Sequence, residues 1–384
     1  MELILKQYDI PLLRFSATND SSTPEIEVHW INEDQRHLLP LDMELSPEGI
    51  SRWMRRRTIP RNRAYVNRLL AKCGLNANRP MGILALCKGL SVDDSYWVVE
   101  EGFEGTFEKY NLFENRFSEV LALIAFTGYG SSNRSSLASS PEFTTNGMLP
   151  KCWRRISGKV TLYKGGTDGG YNTGAEPYCE YYAAQVAAAM GIDAIPYGLS
   201  QWKGRLCSTC ELFTDIDHAY MPIGNLVQRG GFDAVAAYYE NLGEPFQKAF
   251  RDMLVFDAVI CNTDRHYGNF GFIIDNKTNT IAAPAPLFDH GNSLFNQAGP
   301  EDYENAEAFQ QYINTLVPCV YDDFFATAKR FMADENREQL RKLLGFRFKR
   351  HARYNLPPKR LKLMEEQVRK RAMRLLENKE YAQD

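Results

Sequence analysis

The sequence has no run of about eighteen apolar residues, so no membrane-spanning helix is expected. Its start, "MELILKQYDIPLLRF", lacks a basic segment followed by a long apolar core, so we predict no signal peptide. Net charge is nearly absent as well: 45 basic and 48 acidic residues leave −3, which predicts no general attraction to nucleic acid or anionic membranes. The 384 residues are 44% hydrophobic, which is typical of a globular chain with two or three packed units.

Cysteine is too scarce for a disulfide framework, since eight thiols are scattered over the chain. Most of them lie inside apolar runs, as expected for buried thiols in a reducing compartment, so we predict a cytoplasmic protein. The one Cys-x-x-Cys, Cys207 and Cys210, has no second pair at the spacing of zinc ligands. We therefore interpret it as part of a strand rather than as a metal or redox site.

We interpret residues 1–130 as a small N-terminal accessory subdomain. Strand-like segments lead to a helix whose Ser46-Pro47-Glu48 start is a good cap. This helix opens what we interpret as the only dense basic patch, with the arginines Arg52, Arg55, Arg56, Arg57, Arg61, Arg63 and Arg68. Such faces are usually solvated, and contact of the Arg52–Arg68 segment with nucleic acid is the alternative.

The remainder predicts an α+β fold with a mainly helical C-terminal part. A Ser- and Gly-rich stretch, residues 128–145, marks a loop or domain boundary. A strand ending at Lys164, an Ala-rich helix over "EPYCEYYAAQVAAAMGI" and a strand over "RLCSTCELF" follow. From about Gly230 the pattern is helical. The predicted domains are 1–130, 138–216 and 217–384.

The residue types that catalysis uses are concentrated in the segment "CNTDRHYGNFGF". In it, Asp264 and Asn269 lie five residues apart after a predicted buried helix. In protein kinases this spacing joins a base that accepts the substrate hydroxyl proton to an amide that holds Mg²⁺. The spacing alone is weak, because it occurs by chance in most proteins. However, "GFIID" and "TIAAPAPLFD" predict a hairpin whose second strand ends at Asp289 and returns it to Asn269. An Asp and an amide oxygen suit Mg²⁺ bound together with phosphates.

A kinase also needs a cation for the α- and β-phosphates and an acid that holds this cation. Lys164, at the end of a strand, and Glu180, on the next helix, occur in the right order for that ion pair. Without the motif they would be read as surface charges. The loop over the phosphates would be "TTNGMLPK", Thr144 to Lys151, which has one Gly and is weak by itself.

From about Thr144 to the C-terminus the chain resembles the HipA-like serine/threonine kinases of bacteria, a two-lobed family related to the phosphatidylinositol kinases. The family loop Asn-x-Asp-x-His-x-x-Asn-Phe is matched residue by residue, at Asn262, Asp264, His266, Asn269 and Phe270. The resemblance implies a two-lobed kinase-like fold with a small N-terminal subdomain and a helical C-lobe. The N-terminal 130 residues do not match the usual opening of the family.

The resemblance also assigns roles to single residues. Asp264 would be the catalytic base, with Asn269 and Asp289 as the Mg²⁺ ligands. Lys164 would bind the phosphates of ATP, and Glu180 matches the acidic residue that opens the first large helix. The remaining assignments are Glu211 and Phe213 for adenine, through their backbone groups, Gly147 and Lys151 for the phosphate loop, and His266 as a buttress of the catalytic loop.

Two departures from the family pattern stand out. Gly268 takes the place of a Lys that the family often has in the catalytic loop. Either the γ-phosphate is held differently in this chain, or Arg265 or Lys151 holds it instead. The phosphate loop reads Gly-Met-Leu-Pro-Lys where the family has Gly-x-Gln-x-Lys, so the Gln is missing and Lys151 keeps its place.

The resemblance implies an ATP- and Mg²⁺-dependent serine/threonine kinase that acts on a protein substrate. It also implies a toxin-like role with a DNA-binding antitoxin as partner. Separately, the Ser-rich loop before Gly147 suggests regulation by autophosphorylation at Ser139, Ser140, Thr144 or Thr145, because a phosphate there would be repelled from the nucleotide site. One alternative is a lipid or small-molecule kinase of the same fold. Another is a nucleotide-binding module without turnover that docks on a partner or nucleic acid.

Overall fold

The computed structural model describes residues 1–18, 24–130, 140–169 and 174–377. The strands of these residues are β1 (Glu2–Gln7), β2 (Ile10–Ala17), β3 (Ile26–Ile31), β4 (Tyr96–Glu100), β5 (Lys151–Ile156), β6 (Lys159–Gly165), β7 (Gly198–Trp202), β8 (Arg205–Glu211), β9 (His218–Pro222), β10 (Gly271–Asp275) and β11 (Thr280–Pro284). Their helices are α1 (Pro47–Arg56), α2 (Val66–Lys72), α3 (Pro80–Cys87), α4 (Phe107–Tyr110), α5 (Glu119–Thr127), α6 (Ala175–Met190), α7 (Ile223–Leu226), α8 (Gly231–Leu242), α9 (Phe246–Ile260), α10 (Ala306–Ile313), α11 (Phe324–Phe331), α12 (Asp334–Arg341) and α13 (Pro358–Leu376). The predicted α+β class is confirmed.

The N-terminal strands form an antiparallel sheet in the order β3-β2-β1-β4. Strand β1 alternates, so that Leu3 and Leu5 are buried while the residues between them are not. Helix α1 packs Trp53 into the same core. Its cap is the predicted one, since Ser46 Oγ accepts the N–H of Gly49 at 3.1 Å.

The chain divides into two compact units. The first comprises Met1–Lys164, Glu211–Met221 and Phe272–Ala282, and the second comprises Gly165–Cys210, Pro222–Gly271 and Ala283–Asp384. In the first unit, Trp97 of β4 shares one apolar cluster with Trp153 and Val160 of the β5–β6 hairpin. The division into domains 1–130, 138–216 and 217–384 stays a prediction.

The second unit is mainly helical and is built around α9. Every residue from Asp252 to Ile260 is buried, as predicted, and α9 packs against α6, α8, α11, α12 and α13. Cys261 ends the helix in the left-handed conformation (φ 54°), and its N–H donates to the carbonyl of Asp257. The loop that carries the motif therefore starts from a fixed, buried point.

The predicted hairpin exists, but its second strand is shorter than predicted. Strand β11 ends at Pro284 and not at Asp289. Beyond it, Leu287 forms a parallel bridge with Ala194, and its carbonyl accepts the N–H of Ile195 at 2.8 Å. The chain leaves the hairpin because a different segment of the second unit supplies its backbone partners.

Several arginines of the predicted basic patch are held in ion pairs within the fold. The buried Arg57 binds both carboxylate oxygens of Asp94 at 2.7 Å, and the buried Arg63 binds Glu142 at 2.7 Å. Arg56 is also paired with a carboxylate, at 2.7 Å. The exposed arginines of the segment are Arg52, Arg55, Arg61 and Arg68. Contact with nucleic acid through Arg52–Arg68 stays a prediction that depends on these four.

Candidate active site

Asn262 pins the loop that follows α9. Its side chain is completely buried, and its Nδ2 donates to Asp257 Oδ1 of the helix at 3.1 Å. Its Oδ1 accepts the backbone N–H of Asp264, also at 3.1 Å. The first Asn of the motif therefore ties the position of Asp264 to the helix core.

Arg265 is the centre of the site and is 1% exposed. It forms a two-pronged ion pair with Asp257, at 2.9 and 3.0 Å. Its Nη1 donates to the carbonyls of Asn269 (3.1 Å) and Phe288 (2.7 Å), and its Nη2 lies 3.1 Å from His290 Nδ1. Burial alone would lower the pKa of Arg265, but the Asp257 charge raises it overall. Arg265 thus holds the loop together, and it is not placed to replace a phosphate-binding lysine.

Asp264 is partly exposed, and a side chain that the sequence did not single out holds its carboxylate. Asn292 Nδ2 donates to Asp264 Oδ2 at 2.8 Å, while Asn292 Oδ1 accepts from Asn296 Nδ2 at 2.9 Å. The carbonyl of Asn292 accepts both the N–H and the hydroxyl of Thr263, each at 3.1 Å. One carboxylate oxygen is fixed in this way, and Oδ1 receives no hydrogen bond from any described residue.

Asn269 is 5% exposed, and its amide nitrogen is in use. Nδ2 donates to the carbonyl of Asp264 at 3.1 Å, so the side-chain carbonyl oxygen is the group left for a metal ion. Its backbone N–H donates to the carbonyl of His266 at 2.9 Å. His266 itself is exposed and accepts the N–H of Gly268 on Nδ1 at 3.1 Å, which fits the predicted buttressing of the loop.

Asp289 reaches the same place although it lies outside β11. Arg265 Nη1 donates both to the carbonyl of Asn269 and to the carbonyl of Phe288, so one nitrogen holds the backbone at Asn269 close to the backbone next to Asp289. Asp289 has a left-handed backbone (φ 56°), and its N–H donates to Tyr197 Oη at 3.1 Å. A carboxylate and an amide oxygen form a donor set that fits Mg²⁺ carrying phosphate oxygens as further ligands.

Helix α6 brings Glu180 to the Asp-His-Gly segment. Glu180 is fully buried, and its Oε2 accepts the hydroxyl of Ser208 at 2.7 Å. A Cβ on Gly291 would lie 3.4 Å from Glu180 Oε1, so the Gly of this segment is in van der Waals contact with the helix. Burial, followed by the charges of Glu180, Cys210 and Asp289, raises the pKa of Tyr197 well above its usual value.

The lysines predicted to bind phosphate lie in the first unit. Lys164 of β6 and Lys151 of β5 are register partners, and both are buried. Lys151 Nζ donates to the carbonyl of Asn146 at 2.8 Å. Gly147 has φ 91°, and a Cβ there would lie only 2.2 Å from that ammonium, so a side chain would collide with it. The Lys164–Glu180 ion pair stays a prediction.

A buried ion pair holds the start of the predicted phosphate loop. Glu142 Oε2 binds Arg63 at 2.7 Å, and Glu142 Oε1 accepts the N–H of Trp153 at 2.8 Å. Arg63 also donates to the carbonyls of Thr145 (3.1 Å) and Lys151 (2.8 Å). Burial raises the pKa of Glu142, and the Arg63 charge opposes this shift. No local sequence pattern predicts this pair, because its partners are 79 residues apart.

The candidate phosphorylation sites are mostly shielded. Ser140 is fully buried, and Thr144 is 3% exposed, with its hydroxyl donating to the carbonyl of Leu90 at 2.9 Å. Thr145 Oγ1 donates to a carbonyl at 2.7 Å. Ser139 lies outside the described residues. Phosphorylation at Ser140 or Thr144 therefore requires the loop to leave this conformation.

The segment predicted to contact adenine is ordered by several contacts. Glu211 forms an exposed ion pair with Lys159 at 2.7 Å. The N–H of Leu212 donates to the carbonyl of Val160 at 2.9 Å, which continues the pairing beyond β8. Phe213 packs edge-on against a tyrosine ring. The roles of Glu211 and Phe213 in binding adenine stay predictions.

The described part of the chain meets the requirements of neither a membrane-spanning helix nor a metal-binding cluster. No helix of the described residues is long and apolar enough to cross a bilayer. The same residues contain no group of three or more His, Cys, Asp or Glu suited to a metal ion. Cys207 is buried and Cys210 half-buried on β8, which agrees with the strand interpretation.

Comparison with known proteins gives distant matches. No protein-family model matches the chain. The serine/threonine-protein kinase CtkA of Helicobacter pylori is 27% identical over 135 residues, which make up 32% of this chain and 41% of that protein. The chain thus spans about two fifths of the length of this curated relative. A crystal structure of the H. pylori proinflammatory kinase CtkA covers 60% of this chain and 90% of its own, with a TM-score of 0.48 and 17% identity.

The HipA of Shewanella oneidensis MR-1, solved with HipB and operator DNA, covers 97% of both chains with a TM-score of 0.53 and 13% identity. At this identity the match shows the fold, and it confirms the HipA-like kinase fold predicted from the sequence. The match extends beyond the predicted start near Thr144 and includes the N-terminal region. The expectation that the first 130 residues depart from the usual opening of the family concerned their sequence, and at 13% identity the match leaves it a prediction.

Proposed function

We propose that this chain is an ATP- and Mg²⁺-dependent serine/threonine protein kinase of the HipA type. The observation that supports the proposal is that, on a HipA-like fold, Arg265 bonds the carbonyls of Asn269 and of Phe288, the residue before Asp289, while the Asn269 amide donates to the carbonyl of Asp264. Asp264, Asn269 and Asp289 are of the base and metal-ligand types that phosphoryl transfer needs.

Each residue of the site has a task in this proposal. Bound Mg²⁺ would neutralise the charge that develops on the transferred phosphoryl group. Asn269 and Asp289 would hold the metal, and Lys164 would hold the phosphates of ATP. Asp264, fixed by Asn292, would orient the substrate hydroxyl and accept its proton. Burial of Arg265 and Asn262 keeps this geometry from relaxing.

The cellular setting is part of the same proposal. All eight cysteines are free thiols, which supports a reducing cytoplasm. The HipA structure contains HipB and operator DNA, and by this likeness in fold we propose a DNA-binding, antitoxin-like partner for this chain too.

The test is the intact mass of the purified chain and of a generic acceptor protein after incubation with Mg-ATP. We expect mass to be added in steps of one phosphate, and none to be added in the Asp289→Asn variant, because the variant loses a charged metal ligand. A circular-dichroism melt of the variant controls for its folding. Transfer to lipid or small alcohols instead of protein would favour the alternative kinase. A thermal shift with Mg-ATP but no transfer to any acceptor would favour the binding module.

The hydrogen bond from Asn292 to Asp264 gives a separate prediction. Asn292→Ala should lower kcat by about tenfold to a hundredfold with little change in the KM for ATP, because the base loses its orientation while the nucleotide contacts stay. The exposed Asn314→Ala is the matched control and should leave both constants unchanged. Equal losses in the two variants, or a rise in KM alone, would contradict the positioning role.

A further inference from the structure

The most strongly charged part of the chain lies outside the candidate active site. Residues 341–364 contain nine Lys or Arg and no Asp or Glu, so the other residues hold 36 basic and 48 acidic side chains. This segment carries +9 and the rest of the chain −12. The prediction that Arg52–Arg68 is the only dense basic patch is therefore wrong, and the charge of the whole chain conceals a marked segregation.

Part of this segment, residues 347–354, forms what we call the basic–aromatic loop. Its backbone is anchored on two helices of the second unit. The N–H of Lys349 donates to Gln185 Oε1 of α6 at 2.7 Å, and Gln185 Nε2 donates back to the carbonyl of Lys349 at 3.2 Å. The N–H of Phe348 donates to Glu365 Oε1 of α13 at 3.0 Å. The loop is therefore held in one geometry without belonging to a helix or a strand.

A stack of rings lies in the middle of the loop. The His351 and Tyr354 rings lie 5.3 Å apart and nearly parallel, at 14°, and the Tyr181 ring of α6 meets His351 edge-on at 5.7 Å. His351 Nδ1 accepts the N–H groups of Arg353 (3.2 Å) and Tyr354 (3.1 Å), which fixes the imidazole against the backbone. All three rings are partly exposed.

Exposed cations flank the rings, at Arg347, Lys349, Arg350 and Arg353. Arg350 has a carboxylate of Glu365 at 3.9 Å, and no described carboxylate forms an ion pair with the other three. The arginines Arg57 and Arg63 of the N-terminal segment differ, since both are buried against carboxylates. The charge of the loop is thus available to a partner, whereas much of the N-terminal charge is not.

We propose that the basic–aromatic loop binds single-stranded RNA. Several exposed cations within one loop suit a phosphate chain, and partly exposed rings offer faces on which unpaired bases stack. Double-stranded nucleic acid hides its base faces, so the rings would add nothing there. Unpaired bases are the usual target of RNA-binding proteins, which favours RNA over DNA. The surface is separate from the proposed phosphoryl transfer and does not depend on it.

The dependence of RNA affinity on salt concentration measures the electrostatic contribution to binding. Fluorescence anisotropy with a labelled single-stranded 20-mer RNA should give a slope of log K against log salt of about −3, from four phosphate contacts at about 0.7 each. Affinity should then fall about 50-fold between 50 and 200 mM salt. The triple variant Arg347→Gln, Lys349→Gln, Arg353→Gln should lose about two units of slope.

The matched control removes the same charge elsewhere, with Arg52→Gln, Arg55→Gln and Arg61→Gln, and should leave the RNA affinity unchanged. Tyr354→Leu should weaken binding about tenfold at an unchanged salt slope, because it removes a stacking face and no charge. Equal losses in both triple variants would overturn the proposal. So would duplex DNA or single-stranded DNA binding as tightly as the RNA, or no binding of RNA at 50 mM salt.

Discussion

Under the proposed kinase function, Asp264→Asn should lower the rate of phosphate transfer by about 10³-fold and leave the affinity for Mg-ATP nearly unchanged. General-base groups contribute about 10²- to 10⁴-fold, and Asn has the shape of Asp without its capacity to accept a proton. Asn292 can still donate to the side-chain oxygen of the variant, so the loop should keep its conformation. Single-turnover transfer measures the predicted loss of rate, and nucleotide binding by the same preparation measures the predicted unchanged affinity.

The matched control for this substitution is Asp233→Asn, an exposed carboxylate that forms only a 3.5 Å contact with Arg330. It should transfer phosphate at the rate of the unaltered chain. A loss below tenfold in Asp264→Asn would show that another group accepts the proton. A loss of nucleotide affinity as large as the loss of rate would show that the loop had collapsed.

Arg265→Met should lower the free energy of unfolding by about 3–5 kcal/mol. The substitution leaves the Asp257 carboxylate buried without its cation, and a broken buried pair costs that much. It also removes the donors to the carbonyls of Asn269 and Phe288. Urea unfolding followed by circular dichroism measures the loss. The double variant Asp257→Leu, Arg265→Met should recover part of it, since both charges are then gone.

An exposed ion pair provides the control for stability. Glu33→Gln breaks the ion pair between Glu33 and Arg36, two side chains that are both more than half exposed. It should lower the free energy of unfolding by less than about 1 kcal/mol. If Arg265→Met were as mild as Glu33→Gln, the buried pair would not organise the loop. The two predicted metal ligands would then need another explanation for their proximity.

The loop that carries Asp264 and Asn269 could be located from the sequence because its signal is local. The spacing of Asp264 and Asn269 needs only one loop, and the buried helix before it is visible in the apolar pattern. The hairpin argument for the approach of Asp289 to Asn269 was only partly right, and the joint role of the two side chains as metal ligands stays a prediction. Strand β11 ends at Pro284, and Arg265 rather than strand pairing completes the approach.

The remaining features could not be predicted, because their partners are distant in the sequence. Arg57 and Arg63 look like solvated arginines until Asp94 and Glu142 are brought to them by folding. Asn292 looks like a loop residue, and its task follows only from the position of Asp264, 28 residues earlier. A local sequence pattern shows which residue type stands at a position, but not which residues the fold brings into contact with it.

The ion pair between Arg63 and Glu142 limits how the chain can be truncated or its N-terminal part exchanged. A chain that began after residue 130 would keep Glu142, which is 0% exposed, and lose the only arginine bonded to it among the described residues. The carboxylate would then keep the N–H of Trp153 and lose its cation. The first 130 residues and the phosphate loop must therefore be inherited together, and a swapped N-terminal part would have to bring its own cation to the same place.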